Sequence, residues 1–487
     1  MISILRKYFK YFLLALLIFT PVFSHLNSIP IRVWDEARLA WNAINMMENG
    51  NYLVTYFNGN PEMWNTKPPL MIWSQVFFLK IFGIGEIPIR LPSALSALFT
   101  CMAMLVFSIR YLKSFWFGFI AILVLITSNG YINDHASRTG DYDAMLTLFI
   151  TTTALFFYSF MEKSRNLYLY LFYISISLAV FTKGIAGLFF IPAFLLFAIQ
   201  QKKFRSMIGN RHFYFGAIIF GILVGSIYLA REAINPGYLS AVWENEMGGR
   251  YMAVNEGHVG DGWYYFDLLK HAHFGTWILL VPMGLVIGWF NRNEKLRRLT
   301  LFLFMCSFLF LLIISSAKTK LEWYDVPLFP FLAMIVAVAL FSFYSWLSEW
   351  ELAGRHLTFN ALPFLFLFIV FISPYRAIVD KTYKPKNPYD REINPVSYFL
   401  KDVVKGKHDT DGNFLVFGGY GPHIMFYVKM INDRGGNLTF TEVNKLTAGT
   451  EVYVGRWEDE AQIKDNYLCT VEEEFDRVKK IKIHEKK

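Results

Sequence analysis

Apolar runs of about twenty residues recur from near residue 9 to near residue 377, and this recurrence limits the fold more than any other feature of the chain. They fall at 9–29, 89–109, 114–132, 143–161, 167–182, 185–200, 213–230, 272–290, 299–316, 325–347 and 357–377. A helix needs about 20 mostly apolar residues to cross a hydrocarbon core, because lipid offers no partner to an unsatisfied backbone group. Several runs are short or carry Gly and Pro, so the pattern predicts an α-helical polytopic membrane protein with about 11–13 spans. The first run, Tyr11 to Phe23, follows Arg6, Lys7 and Lys10 but ends at His25 and Asn27 rather than at a small-residue cleavage site, which predicts a retained anchor.

The net charge of +9 raises the question of nucleic acid. Lys and Arg sit in small clusters between apolar runs rather than on one face, which is a topology signal and excludes a phosphate-binding stripe. Alternate connections carry the clusters Arg6/Lys7/Lys10, Arg110/Lys113, Lys163/Arg165, Lys202/Lys203/Arg205/Arg211, Arg292/Lys295/Arg297/Arg298 and Arg355. Those ends are expected in the cytoplasm of an inner (plasma) membrane protein, with the N-terminus there too. The three cysteines, Cys101, Cys306 and Cys469, are far apart and support neither a disulfide framework nor a thiolate metal site.

Two domains are expected, a membrane domain over 1–379 and an extracytoplasmic α/β domain over 380–487 with short buried strands at Phe414–Phe417 and Val452–Val454. In the first outer connection, 36–49 has helical apolar spacing and 69–82 is apolar almost throughout; both suit helices lying in the interface, with Trp34, Trp41, Trp64 and Trp73 at headgroup level.

The polar residues with chemical promise all fall on the other, outer side. Asp35 and Glu36 stand where the first span ends and a helix begins; taken alone, the pair reads as well as an N-terminal cap as a functional site. Lys67 precedes Pro68-Pro69 at the start of the next helix, where free N–H groups attract anions, although a lysine reaching for lipid headgroups is an equal reading. Arg138, Asp141 and Asp143 follow; Asp141 suits an ordinary cap, whereas an acid as close to a span as Asp143 is costly and points to function. Lys183, Arg250, His258, Lys318, Lys320 and Tyr324 add donors on the same side, His258 reading alone as a loop residue.

In chain order, Asp35-Glu36-Ala-Arg38, Lys67-Pro68-Pro69, Arg90-Leu-Pro-Ser-Ala94, Asp143 with Leu146-Thr-Leu-Phe149, Thr182-Lys183-Gly184 and Lys318-Thr-Lys320-Leu-Glu-Trp-Tyr324 resemble the ArnT-like/protein mannosyltransferase family of GT-C glycosyltransferases over roughly 30–335. The resemblance implies a sugar donor on a polyprenyl phosphate, transfer outside the cytoplasm and inversion at the anomeric carbon. It implies Asp35 and Asp143 as the catalytic aspartates with Glu36 beside them, and Lys67, Lys320 and Tyr324 at the lipid phosphate. Arg250, Lys318, Asp141 and Arg138 are further candidates for substrate binding. The lipid A aminoarabinose transferases have a metal-binding glutamate before the Lys-Pro-Pro lysine, where this chain has Thr66. His258 resembles the accompanying histidine, so a divalent metal is left open and no cofactor is certain.

Lipid A, glycan and protein acceptors all fit these residues. A transporter or flippase of a lipid-linked sugar is the rival reading, disfavoured because there is no internal repeat and the polar residues gather on one side rather than at a midplane.

Overall fold

The computed structural model describes residues 2–254, 256–354, 361–410 and 412–487; Arg355 and the side chains of 2–7, Met247, Arg250 and 351–354 lie outside that description. Among the described residues seven helices are long and apolar enough to cross a membrane: Glu86–Leu112, Asp143–Lys163, Asn166–Leu188, Arg211–Ile234, Glu294–Ser316, Glu322–Trp350 and Ala361–Val379. Tyr8–Phe23, Leu70–Phe82, Phe115–Ile126, Ile191–Gln200 and Leu280–Trp289 are shorter apolar helices.

Four of the expected spans are therefore shorter than their apolar runs, two of them for clear local reasons. In the run 114–132 the helix stops at Ile126, where the hydroxyls of Thr127 and Ser128 bond back to the carbonyls of Leu123 and Val124 and the chain turns. In the run 185–200, Gly184 at φ 55° ends the preceding helix, a 3-10 turn covers Gly184–Leu188, and the helix restarts at Ile191 with Pro192 in its first turn.

The helix Glu322–Trp350 is the hub: 83% of its apolar window is buried, against Phe115–Ile126, Leu280–Trp289 and Glu294–Ser316. Helix Arg211–Ile234 is its opposite, with 6% buried, and Ile218, Ile222 and Leu229 face outward as lipid-facing side chains would. Asp143–Lys163 packs between Glu86–Phe107 and Asn166–Lys183, so its first residue, Asp143, is held at one end of the bundle.

That end also carries the long first connection: helix Asp35–Asn49, closed by Gly50 at φ 70°, a small hairpin pairing Tyr56–Phe57 with Asn60–Pro61, and helix Leu70–Phe82. Over it sits the C-terminal region, a five-stranded sheet in the order Thr439–Thr441, Phe414–Val416, Glu451–Val454, Val478–Lys486, Tyr467–Phe475. The first three strands are parallel and the last two antiparallel.

Ala37, Ala40 and Ile44 of the first connection share one apolar core with Leu400, Ile424, Tyr427 and Met430. Polar contacts reinforce this seam: Tyr427 accepts from the Ile31 backbone and donates to Glu86 at 2.8 Å, and Lys401 pairs with the same Glu86 carboxylate. The C-terminal sheet thus packs against the very segment that leads into Asp35.

Candidate active site

Asp35 opens its helix after Trp34, whose backbone is held at φ 74°, a conformation that costs a bulky residue on the order of 1–3 kcal/mol and persists only where packing fixes it. The next residue, Glu36, points the other way. Fully buried, its carboxylate accepts from Arg90 Nε at 2.7 Å and Nη2 at 2.8 Å, from the Arg32 backbone at 2.7 Å and from the Gly140 backbone at 2.8 Å. Arg90 donates further to the carbonyls of Leu26, Ile29 and Pro30. A Cβ at residue 140 would lie 2.5 Å from Ile89 Cγ2, so only glycine allows the approach. Glu36 therefore ties the 139–143 segment to the Asp35 helix rather than facing the cavity.

Three side chains then converge. His135 Nδ1 lies 3.8 Å from Asp35 Oδ2 and 3.6 Å from Asp141 Oδ2, and its ring stacks on Trp323 at 3.7 Å between centroids. Thr139 donates to Asp141 at 2.5 Å. Burial, opposed by His135 and reinforced by Asp35 and Glu36, pushes the Asp141 carboxyl up to about 7. Two residues on, Asp143 pairs with Lys183 at 2.5 Å, and that ammonium lies over the Tyr324 ring at 5.2 Å. Lys67 lies over the Tyr142 ring at 5.4 Å.

A small polar cavity is lined by Asp35, Asn65, Lys67, Asp141, Asp143 and Lys183, with Trp64 and Trp323 as walls. Against it lies a larger cavity that shares Trp64, Lys67, Asp143 and Lys183 and continues past Leu146, Phe189, Phe310 and Ile313. Tyr324 borders only the larger cavity and Asp35 only the smaller. Cations and a carboxylate thus stand at the junction of a polar chamber and an apolar one.

Other sequence candidates lie elsewhere. Lys320 is buried with its ammonium on the carbonyls of Ile314, Ser315 and Ala317, closing the end of helix Glu294–Ser316; it lines neither cavity. Arg138 donates to the carbonyls of Pro21, Val22, Ser24 and Thr382, clamping the first helix to the segment after the last, and burial pulls its guanidinium down to about 10. Lys318 is exposed. The Arg250 side chain lies outside the described residues. His258 is exposed, with Glu256 at 4.0 Å, and its carbonyl accepts from the Lys320 backbone.

Thr66 offers no carboxylate, and His258 belongs to no group with metal-binding spacing among the described residues. Among the described residues one group has metal-binding spacing, Asp35, His135 and Asp141, whose donor atoms lie within 4.8 Å of one another. His135 Nδ1 and Asp141 Oδ1 are buried without hydrogen-bond partners, and two carboxylate oxygens with an imidazole nitrogen suit a divalent cation. Sequence reasoning missed His135. A histidine between an apolar run and two aspartates was its only local signal.

Residues 66–229 match the family described as dolichyl-phosphate-mannose-protein mannosyltransferase. An uncharacterized protein of Aquifex aeolicus is 28% identical over 329 residues, covering 67% of this chain and 63% of that protein. The undecaprenyl phosphate-alpha-4-amino-4-deoxy-L-arabinose arabinosyl transferase of Aeromonas salmonicida is 26% identical over 329 residues, 64% of this chain and 57% of its own. The matched region spans about three fifths of these relatives. Across its whole length the fold follows the crystal structure of ArnT from Cupriavidus metallidurans bound to undecaprenyl phosphate, with TM-score 0.73 and 14% identity over 97% of this chain and 98% of that one. The chain has the ArnT fold. The oligosaccharyltransferase of Archaeoglobus fulgidus shares the fold more distantly, with TM-score 0.51 and 11% identity over 88% of this chain and 61% of that one.

Proposed function

We propose that this chain is an inverting glycosyltransferase that moves a sugar from a polyprenyl-phosphate donor to an acceptor on the extracytoplasmic side of the inner membrane. The observation that carries the reading is the paired cavity: an apolar chamber bordered by Phe189, Phe310 and Ile313 meets a polar one at Lys67, Asp143 and Lys183. A polyprenyl-phosphate sugar has the same division, a lipid chain, an anion and a polar head. The catalytic domain is residues 1–379 and the C-terminal domain 380–487, both carrying their functional surfaces outside the cytoplasm, with the N-terminus inside.

The residues then divide the chemistry. Lys67, Lys183 and Tyr324 meet the phosphate and stabilise the charge that grows on its oxygens as the sugar–oxygen bond breaks, in a site where low dielectric strengthens them. Asp143 holds the Lys183 ammonium at 2.5 Å and so fixes its direction. Asp35 lines the polar chamber and takes the proton of an acceptor hydroxyl, a contribution on the order of 10² to 10⁴ in rate. Attack from the Asp35 side, opposite to the departing phosphate, inverts the anomeric carbon. A divalent cation held by Asp35, His135 and Asp141 would add positive charge beside the acceptor oxygen.

The reading is tested with the full chain in proteoliposomes, following a labelled sugar from polyprenyl phosphate to envelope lipids, glycans and proteins. Transfer supports it. Passage of the intact lipid-linked sugar across the bilayer without transfer makes the chain a flippase instead.

A further inference from the structure

A second cleft, about 610 Å³ in size, lies over the C-terminal sheet, between that sheet and Trp34. Its floor is the carboxyl end of the parallel strands Phe414–Val416 and Glu451–Val454. The chain leaves the first of these toward Thr439–Thr441 on one side, and the second toward the antiparallel strands on the other. That divergence opens the crevice where α/β sheets bind ligands.

The two loops at the crevice are built to stay close. After the first strand comes Phe417-Gly418-Gly419-Tyr420, and after the second Gly455-Arg456-Trp457. Gly418 N–H donates to Asp459 at 3.0 Å, a Cβ at Gly418 would lie 2.6 Å from Asp459 Oδ1, and one at Gly419 3.1 Å from Arg456 Nη1. Two deeply buried polar side chains border the cleft without hydrogen-bond partners, Ser397 Oγ with the residue 2% exposed and His423 Nδ1 with the residue 4% exposed. Unpartnered buried polar atoms are costly, so a pair of them at one crevice marks a place where a ligand completes the hydrogen bonding.

The lining identifies the ligand class. Its cations are already matched: Arg456 lies 3.6 Å from Glu458, Arg477 2.6 Å from Glu392 and Lys479 2.8 Å from Glu460. Burial pulls the His423 imidazole down to about 4, so it is neutral at physiological pH. Nothing in that balance favours a phosphate. The aromatic surfaces do favour a neutral ring: Trp457 is 76% exposed, and Trp34, 63% exposed, stacks on Tyr420 at 4.5 Å. A sugar ring offers a C–H face to an indole and hydroxyls to carboxylate, guanidinium, hydroxyl and imidazole partners.

We infer that this cleft binds a neutral oligosaccharide. Because Trp34 is both a wall of the cleft and the neighbour of Asp35, the bound glycan is the acceptor, presented to the catalytic cavity along the C-terminal domain. That second statement rests on the transferase reading; the binding does not.

The experiment uses the purified full chain in lipid nanodiscs, titrated with short neutral oligosaccharides of glucose, mannose or N-acetylglucosamine. Saturation-transfer NMR and tryptophan fluorescence read the binding, with pyrophosphate as the anionic comparison. At least one series should bind saturably, weakened about tenfold or more by Trp457→Ala and more mildly by Ser397→Val. Failure of all three series, equal binding to Trp457→Ala, or displacement by pyrophosphate overturns the inference. Donor turnover on the same preparation separates the two claims: its loss with oligosaccharide binding intact sinks the transferase reading and leaves the cleft standing.

Discussion

Glu36 and Arg90 form a two-pronged ion pair, with bonds of 2.7 and 2.8 Å, at positions 0% and 3% exposed, directly behind Asp35. The pair desolvates two charges, and the carbonyls around Arg90 and the N–H groups of Arg32 and Gly140 complete it. Breaking such a pair by removing one partner costs about 3–5 kcal/mol, because the other charge is left buried. Glu36→Ala should therefore lower the thermal midpoint strongly in detergent, and Glu36→Gln by less. A Glu36→Gln protein that keeps full stability but loses transfer would assign the carboxylate to the chemistry instead.

Lys67 and Lys320 make a second contrast. Lys67 borders both cavities, whereas Lys320 lies on three carbonyls at a helix end. Lys67→Met should raise KM for the polyprenyl-phosphate donor about tenfold or more with little change in melting, since it removes binding to an anion. Lys320→Met should lower stability by on the order of 2 kcal/mol and leave donor KM within a few fold. Kinetics and thermal unfolding on the two variants check the assignment.

The membrane class was legible because apolar runs of spanning length repeat down the chain, and the Asp35, Lys67 and Asp143 neighbourhood because those types stand at ends of runs. What was not legible depends on partners far away in sequence. A lysine in Lys318-Thr-Lys320 announces a cation, but whether an anion or the carbonyls of its own helix end claim it is decided by folding. His135 gains its place from stacking on Trp323, and Glu36 is turned inward by Arg90. Spans shortened by Thr127 and Gly184 look full length by hydropathy alone, since backbone turns inside an apolar run leave its composition unchanged.

The raised Asp141 carboxyl couples stability to pH. Its folded value of about 7 lies above the ordinary carboxylate value, so the folded state binds the proton more tightly. The associated stabilisation is complete below the unfolded value and is lost as pH rises through about 7. Asp141→Asn removes that dependence. The melting difference, variant minus parent, should therefore grow in the variant's favour between about pH 4 and about pH 7 and level off above. A difference that is flat or falls with pH contradicts the burial-driven shift.

The Asp35, His135 and Asp141 group is tested by divalent cations. Adding manganese to chelator-treated protein should broaden the His135 imidazole signals in NMR, and Asp141→Asn should weaken that broadening; His258→Gln should leave it in place. Broadening that follows His258 would restore the position suggested by the sequence.

Asp35→Asn tests the central claim most directly. The variant keeps the side-chain shape and leaves Lys67, Lys183 and Tyr324 untouched, so it should bind the polyprenyl-phosphate sugar as the parent does. Transfer of the labelled sugar to a hydroxyl acceptor should fall by on the order of 10² or more. Wild-type transfer rates in Asp35→Asn, or a loss of donor binding equal to the loss of transfer, would contradict the role given to Asp35.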